Sequence, residues 1–539
     1  MIIKRWNGSS FLIFLISIAF ILWGGAFIYK SSFITIDNNR SFSLFDDAMI
    51  SMRYAWNFSH GNGLVWNPGE RVQGYTNLLM TLLMSFATLI FSKSIAVLFI
   101  QITGIVFMLI IAALTMQIAG EIFYKEHSEF HTLLRILSFL CGLTYYPLAY
   151  WSLMGMETGM LTMFLLGGVL MAIKYVRSKD QKLLWISAMS FGLAFLTRND
   201  SVIFAILVWI YFLWATFEPD KNNGRLLQLA APSGFYLLVV IGQLMFQYFY
   251  YGQMLPNTYL LKLTGMPFAL RIQGGLGFVF LFLKETAFIL TLATIGMVIH
   301  FRKEKFLLFS FILTALSYQA YVGGDPWNYW RMMAPVIPLV IILAMDALIT
   351  IANGLTRRNS FRSGLAPHRA AIRNSFVAAS ILTGMLITNW RFLPEALFQV
   401  NPYQSIRNLE NVNIAIVLNE ILRSDATVGV FWAGSIPYYT DKKTVDFLGK
   451  SDPYIAHLPP DISGSISWWG MQSVPGHNKY DLNYSIVSLK PTYVQGFIYG
   501  SQDLSQWAAE NYVKIIHRRI PLFLLTDAGG ILWSRKNIR

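Results

Sequence analysis

Long apolar runs separated by short polar loops occupy the first three quarters of the chain. Runs long enough to cross a bilayer, about 20 residues, lie near 10–30, 94–119, 134–152, 157–174, 184–198, 201–217, 227–250, 275–299, 305–321, 333–352 and 374–392. A further run at 75–91 is shorter. Whether it crosses sets the direction of everything after it, and the basic loops decide. "KYVRSKDQK" (174–182), "FRKEK" (301–305) and "TRRNSFRSGLAPHRAAIR" (356–373) are the most basic. The last carries Arg357, Arg358, Arg362, Arg369 and Arg373 and no acid. Cytoplasmic loops are enriched in Lys and Arg. All three lie inside only if 75–91 rests along the outer surface as an amphipathic or half-inserted helix. The pattern therefore predicts about eleven spans, beginning with an uncleaved anchor whose N-terminus, with Lys4 and Arg5, faces the cytoplasm.

Beyond residue 392 the pattern changes. A helical segment near 403–423 is followed by the short apolar runs "ATVGVFWAG" and "KTVDFLG". A helix near 481–489 then precedes "PTYVQGF", "YVKIIHRRI" and "GILWSRK", which read as strands. The expected architecture is a polytopic α-helical membrane domain, 1–392, and a soluble α/β domain, 393–539. The first outer loop, 31–93, carries surface helices.

Composition agrees. The chain is 55% hydrophobic with mean hydropathy +0.49, and only 13% of its 539 residues are charged, against roughly 25% in soluble domains. The net charge of +14 then marks cytoplasmic loops and anionic lipid headgroups, not a nucleic-acid partner. A single cysteine, Cys141, excludes a disulfide framework and a thiolate zinc site. No phosphate-binding Gly fingerprint follows a strand, so a cytosolic nucleotide-driven reaction is not expected.

Polar chemistry collects at the outer ends of the runs. Asp46 and Asp47 are adjacent where the chain first leaves the membrane. Two acids this close raise the pKa of one of them, which suits a general base. Asp47 can equally cap the helix "AMISMRYAWNFSH", leaving Asp46 free. Glu157, in "MGMETG", and Arg198 with Asp200, in "LTRND", sit at span ends and either pair as a salt bridge or line a cavity. Lys262, Arg271 and Arg331 are cations at the outer mouth, where a lipid-linked phosphate would need them. Trp327, Tyr329 and Trp330 beside Gly323–Pro326 are candidates to stack on a sugar or to form an interfacial belt. His60 and His477 have no spacing of a transition-metal site. A divalent cation on Asp46 or Asp47 is the one candidate cofactor. Polar midspan residues are confined to scattered Ser, Thr, Gln and Gly, which argues against a transporter.

The string "DDAMISMRYAWNFSHGNGLVWNPGERVQGYTN" resembles the GT-C glycosyltransferases. It resembles in particular the branch that includes the mycobacterial terminal β-(1→2)-arabinofuranosyltransferase and bacterial relatives. "MGMETGM", "GLAFLTRND", "YYGQMLPNTYLLK", "GGDPWNYWRMMAPVIPL" and "TVDFLGKSDPYIAH" with "PGHNKYD" follow in the same order. The resemblance implies a polyprenyl-phosphate sugar donor and a cell-envelope glycan or glycolipid acceptor. It implies inverting transfer on the outer face of a bacterial cytoplasmic membrane. Asp46 would be the base, with Asp47 second as base or as a ligand to metal or acceptor. Arg53, Glu70, Tyr75 and Asn77 would shape the loop. Glu157, Arg198 and Asp325 would line the pocket, and His477 and Asp481 would reach the acceptor. Gln73 replaces the usual Glu, and Asn199 the usual Pro, so the sugar is not carried over. The competing expectations are a lipid-linked glycan flippase and a non-catalytic assembly partner.

Overall fold

A computed structural model describes residues 8–123, 130–216, 222–327, 329–357, 369–463, 475–498 and 501–532. Lys4, Arg5, Arg358 and Arg362, from the topology argument, lie outside these. A helix occupies each of the eleven apolar runs. Eight are long and apolar enough to cross a membrane, from Gly8–Ser31 to Arg369–Thr388. A pair bent by 55°, Thr132–Thr144 with Tyr146–Leu153, would make a ninth. The two remaining helices are Gln181–Thr197, of 17 residues, and Val202–Thr216, of 15. At 1.5 Å per residue these are shorter than a ~30 Å hydrocarbon core, so among the described residues eight or nine helices pass on length and composition, while these two run between the basic-loop end and the end that carries Arg198 and Asp200. The chain is a multi-pass membrane protein.

The run at 75–91 forms a helix, Leu78–Ile90, of only 13 residues, about 20 Å long. It stays at one end of the bundle. Thr88 Oγ1 donates to Ala55 O (3.3 Å), and Lys93, just beyond, pairs with Asp441 (2.5 Å). The helix Lys93–Phe123 then runs to the opposite end. There Arg177 pairs with Glu121 (2.6 Å), and Arg302 donates to Ile122 O (2.8 Å). The basic loops 174–182 and 301–305 thus meet at the end of the bundle remote from Asp46. One reading needs correction: an apolar run also carries an acid, toward the basic-loop end. Asp346, in the Ile337–Arg357 helix, is fully buried and paired with buried Lys305 at 2.6 Å. An intramembrane carboxylate is tolerated because it is neutralised in place.

Phe33–Ile34 (β1) and Arg40–Ser41 (β2) form a small antiparallel hairpin before the site. The C-terminal region is built on a five-stranded sheet of Thr427–Val430 (β3), Lys443–Asp446 (β4), Tyr493–Val494 (β5), Tyr512–His517 (β6) and Ile520–Leu525 (β7). Its order is β4-β3-β5-β7-β6, parallel through β4, β3 and β5 and antiparallel beyond. The run "YVKIIHRRI" does not stay one strand. Arg518 and Arg519 both take positive φ, at 48° and 67°, and turn the chain back into β7. Two arginines are not a usual hairpin turn sequence; here Arg518 is held by Asp37 (2.6 Å) and Glu420 (2.5 Å). "GILWSRK" contributes only an isolated bridge, Ile531 to Leu422, and 533–539 lie outside the described residues.

The sheet region is fastened to the first outer loop by buried polar contacts. Arg53, in the Asp46–Ser59 helix, reaches Asp441 (2.8 Å). Asn67 accepts from Thr444 N (3.1 Å) and donates to Thr444 O (2.8 Å), so it stands beside β4 like an extra backbone unit.

Candidate functional site

The helix Asp46–Ser59 begins immediately after Phe45, whose extended backbone occupies the N-cap position, and no side chain caps it. The expectation that Asp47 caps this helix is therefore corrected. Both acids lie in the first turn, where the helix dipole favours negative charge; Asp46 meets the sheet region, and Asp47 lies between the sheet region and the helical bundle. Asp46 is 4% exposed. Its Oδ1 accepts from the backbone N–H of Gly434 (3.2 Å) and Ser435 (3.3 Å). Only glycine permits this approach: a Cβ on residue 434 would sit 2.6 Å from that oxygen. Burial, with Asp47 alongside, pushes the Asp46 carboxyl up to about 7, against the pull of Lys450 and the two N–H groups. Asp47 behaves oppositely. Burial would raise it, but Lys450 and Arg331 more than offset this and hold it well below the usual carboxylate range. Its Oδ1 accepts from Lys450 Nζ, and its Oδ2 from Arg331 Nη1 at 3.1 Å.

A chain of charges leads from there into the helical bundle. Arg331 also donates to Asp325 Oδ1 (3.0 Å), and Lys262 reaches the same oxygen (3.4 Å). Burial, together with Arg331 and Arg198, pulls the Lys262 ammonium below its ordinary value despite Asp325. An added anion would relieve this crowding of cations. Deeper, Arg198 forks between Glu157 (2.6 Å) and Asp200 (3.0 and 2.6 Å). Asn77 donates to Glu157 (3.2 Å) and accepts from Ser51 (2.9 Å). Glu157 and Arg198 thus both pair with each other and line a cavity.

Two cavities meet at this chain. The smaller, about 320 Å³, lies between the outer ends of the helices, and Tyr75, Asn77, Glu157, Arg198, Lys262 and Arg331 are in its wall. The larger, about 1060 Å³, lies under the sheet region, with Asp46, Trp327, Tyr403, Arg407, Trp432 and His477 in its wall. Asp47 and Lys450 line both. In the larger cavity the rings of Trp327 and Trp432 are 6.4 Å apart. Burial, with Lys450 nearby, pulls His477 down to about 4, so it is neutral near pH 7.

Other sequence candidates sit elsewhere. Arg53 is buried and holds the half-exposed Asp441, as described above. Glu70 pairs with Lys443 (2.8 Å) at the surface. Asp481 accepts from Tyr484 N (3.0 Å) and Tyr454 Oη (3.2 Å). Arg271 packs on the Tyr321 and Phe268 rings, at 4.9 and 5.5 Å. None of these is in the wall of either cavity. Of the aromatics, Trp327 faces the larger cavity, whereas Trp330 is buried, donating to Glu285 (2.7 Å), and Tyr329 is tied to Glu395. Sequence reasoning missed Lys450, Gly434, Tyr403 and Trp432. Lys450 lies inside the quoted "TVDFLGKSDPYIAH", but nothing local marks it as the partner of an acid 403 positions earlier.

The carboxylate pair is a poor cation site as it stands. Both Asp47 oxygens accept from cationic side chains, and Asp46 Oδ1 is taken by backbone N–H groups. Among the described residues no group of three or more His, Cys, Asp or Glu side chains is arranged to hold a metal.

A family model described as a domain of unknown function, DUF8728, matches residues 401–530. No curated protein matches. Among solved structures, ArnT from Cupriavidus metallidurans in the apo state has a TM-score of 0.54 at 11% identity, over 96% of this chain and 97% of that one. The same protein bound to undecaprenyl phosphate gives 0.53 at 10% identity, over 96% and 98%. The Archaeoglobus fulgidus oligosaccharyltransferase in its apo form gives 0.51 at 12% identity, over 98% of this chain and 75% of that one. The chain has the fold of the GT-C membrane proteins.

Proposed function

We propose that this protein is a GT-C glycosyltransferase of the bacterial cytoplasmic membrane. It transfers a sugar from a polyprenyl-phosphate donor to a cell-envelope glycan or glycolipid on the outer face, with inversion. Its N-terminus is cytoplasmic, and residues 393–539 form an extracytoplasmic domain. The observation that carries the reading is the pair of cavities meeting at Asp47 and Lys450. The smaller is lined by cations, and exposed Leu255 and Tyr259 stand in its wall, an apolar edge suited to an isoprenoid chain. The larger offers aromatic faces and polar edges to a sugar acceptor.

In this reading the donor phosphate binds among Arg331, Lys262 and Arg198, and the acceptor hydroxyl points at Asp46. Asp46 takes the hydroxyl proton as the oxygen forms its bond to the anomeric carbon. The bond from that carbon to the phosphate oxygen breaks, and polyprenyl phosphate leaves with its charge met by the cations. One displacement inverts the centre. Arg271, off the cavity wall, is left out of the phosphate set. Placement in the arabinofuranosyltransferase-like branch rests on the quoted motifs. Glycan mass spectrometry on cells lacking the protein would name the sugar as the missing residue.

The test is transfer by detergent-purified protein given a polyprenyl-phosphate sugar and envelope acceptor, with no second compartment. A transferase makes the glycosidic bond there and Asp46→Ala abolishes it. A flippase makes none. Labelling of position 46 from the cytosolic side, or of position 373 from outside, would overturn the orientation.

A further inference from the structure

Lys450 is a built feature of the site. It is 15% exposed, and its loop is closed around a buried acid. Asp446 accepts from Leu448 N (3.0 Å) on one oxygen and Ser451 N (2.7 Å) on the other. Two segments of the helical part then lock that loop. Asn257 of "LPNTY" donates from its side chain to Gly449 O (3.3 Å) and Asp452 O (3.2 Å). Its own N–H donates to Gln73 O (3.0 Å). Beside Gln73, Gly74 lies so close that a Cβ there would be 2.7 Å from Lys450 O. Three sequence-distant segments thus converge to hold one ammonium at the junction of two cavities.

An ammonium carries three N–H donors. One is given to Asp47, and the others remain for oxygens entering from the smaller cavity. Next to a carboxylate pair this is where a divalent ion would bridge acid and phosphate, yet the acid's oxygens are already committed to Lys450 and Arg331. We propose that Lys450 is a further phosphate-positioning cation beside Arg331, Lys262 and Arg198: a tethered ammonium, delivered by the C-terminal region, that binds the lipid phosphate in place of a divalent metal ion. The inference rests on the reading of the smaller cavity as the donor site.

The experiment is binding of undecaprenyl phosphate to the full-length chain in detergent, with EDTA or with Mn²⁺. It uses wild type, Lys450→Met, Lys450→Arg, and Lys443→Met as an exposed control. Wild-type affinity should be unchanged by EDTA, and Mn²⁺ titrated alone should give no saturable binding. Lys450→Met should weaken lipid-phosphate binding about tenfold or more, the worth of a charged hydrogen bond. Lys450→Arg should restore most of it, and Lys443→Met should match wild type. Loss of wild-type binding in EDTA, or wild-type affinity in a folded Lys450→Met, overturns the proposal. If Lys450→Met does not fold, the EDTA and Mn²⁺ arms on wild type still decide. Protein that binds lipid phosphate as expected but transfers no sugar sinks the transferase reading and leaves Lys450 assigned.

Discussion

Asp46→Asn separates chemistry from stability with opposite signs. The wild-type carboxyl titrates near 7 instead of 3.8 because it is buried beside Asp47. Unfolded, it releases its proton near its ordinary value; folded, it keeps the proton about three units longer. Below the unfolded value both states are protonated and there is no penalty. As pH rises towards 7 the folded state loses about 1.36 kcal/mol per unit, reaching about 4 kcal/mol, and above that the penalty is constant. An amide of the same shape can still accept from Gly434 and Ser435 but carries no charge. Asp46→Asn should therefore melt higher than wild type at pH 8 and alike at pH 4, by scanning fluorimetry of the detergent-purified protein. It should also transfer no sugar. In wild type, kcat/KM should fall about tenfold from pH 8 to pH 6 as the base is protonated. Asp47, held ionised, and His477, neutral above about 4, add no limb in that range. A rate profile flat from pH 6 to 8, or a variant that melts below wild type at pH 8, would refute the reasoning.

Arg331→Met should remove the cation shared by Asp47 and Asp325, leaving a buried carboxylate paired only with Lys262; loss of donor binding with a destabilisation of about 3–5 kcal/mol is expected, read by lipid-phosphate titration and melting. Gly74→Ala places a methyl within 2.6–2.9 Å of Ser451 Oγ, Lys450 O and Tyr54 Oη; it should weaken lipid-phosphate binding and transfer while the protein still inserts. Trp432→Ala removes one wall of the larger cavity and should raise KM for acceptor while leaving lipid-phosphate affinity unchanged; a rise in donor KM instead would reverse the assignment of the two cavities.

Legibility of the fold from sequence followed the range of the interactions. Helices are set by contiguous apolar runs, so they were readable as segments, and the run at 75–91 was readable as a short helix, Leu78–Ile90. What escaped depended on pairing across the chain. Asp346 violates the apolar pattern and is paired with Lys305, 2.6 Å away. The β6–β7 turn uses Arg518 and Arg519, and partners on Asp37 and Glu420 explain it. The site divides the same way. The acidic pair announces itself as two neighbouring letters, but adjacency does not say which acid does what. Their difference comes from partners distant in sequence: Asp46 is buried against Gly434 and Ser435, whose N–H groups only partly offset the rise that burial causes, while Lys450 and Arg331 hold Asp47 ionised. A carboxyl near 7 and one held ionised are thereby made from identical side chains one residue apart. The sheet region is thus a structural part of the site, since removing it would expose Asp46 and leave Asp47 with Arg331 but without Lys450.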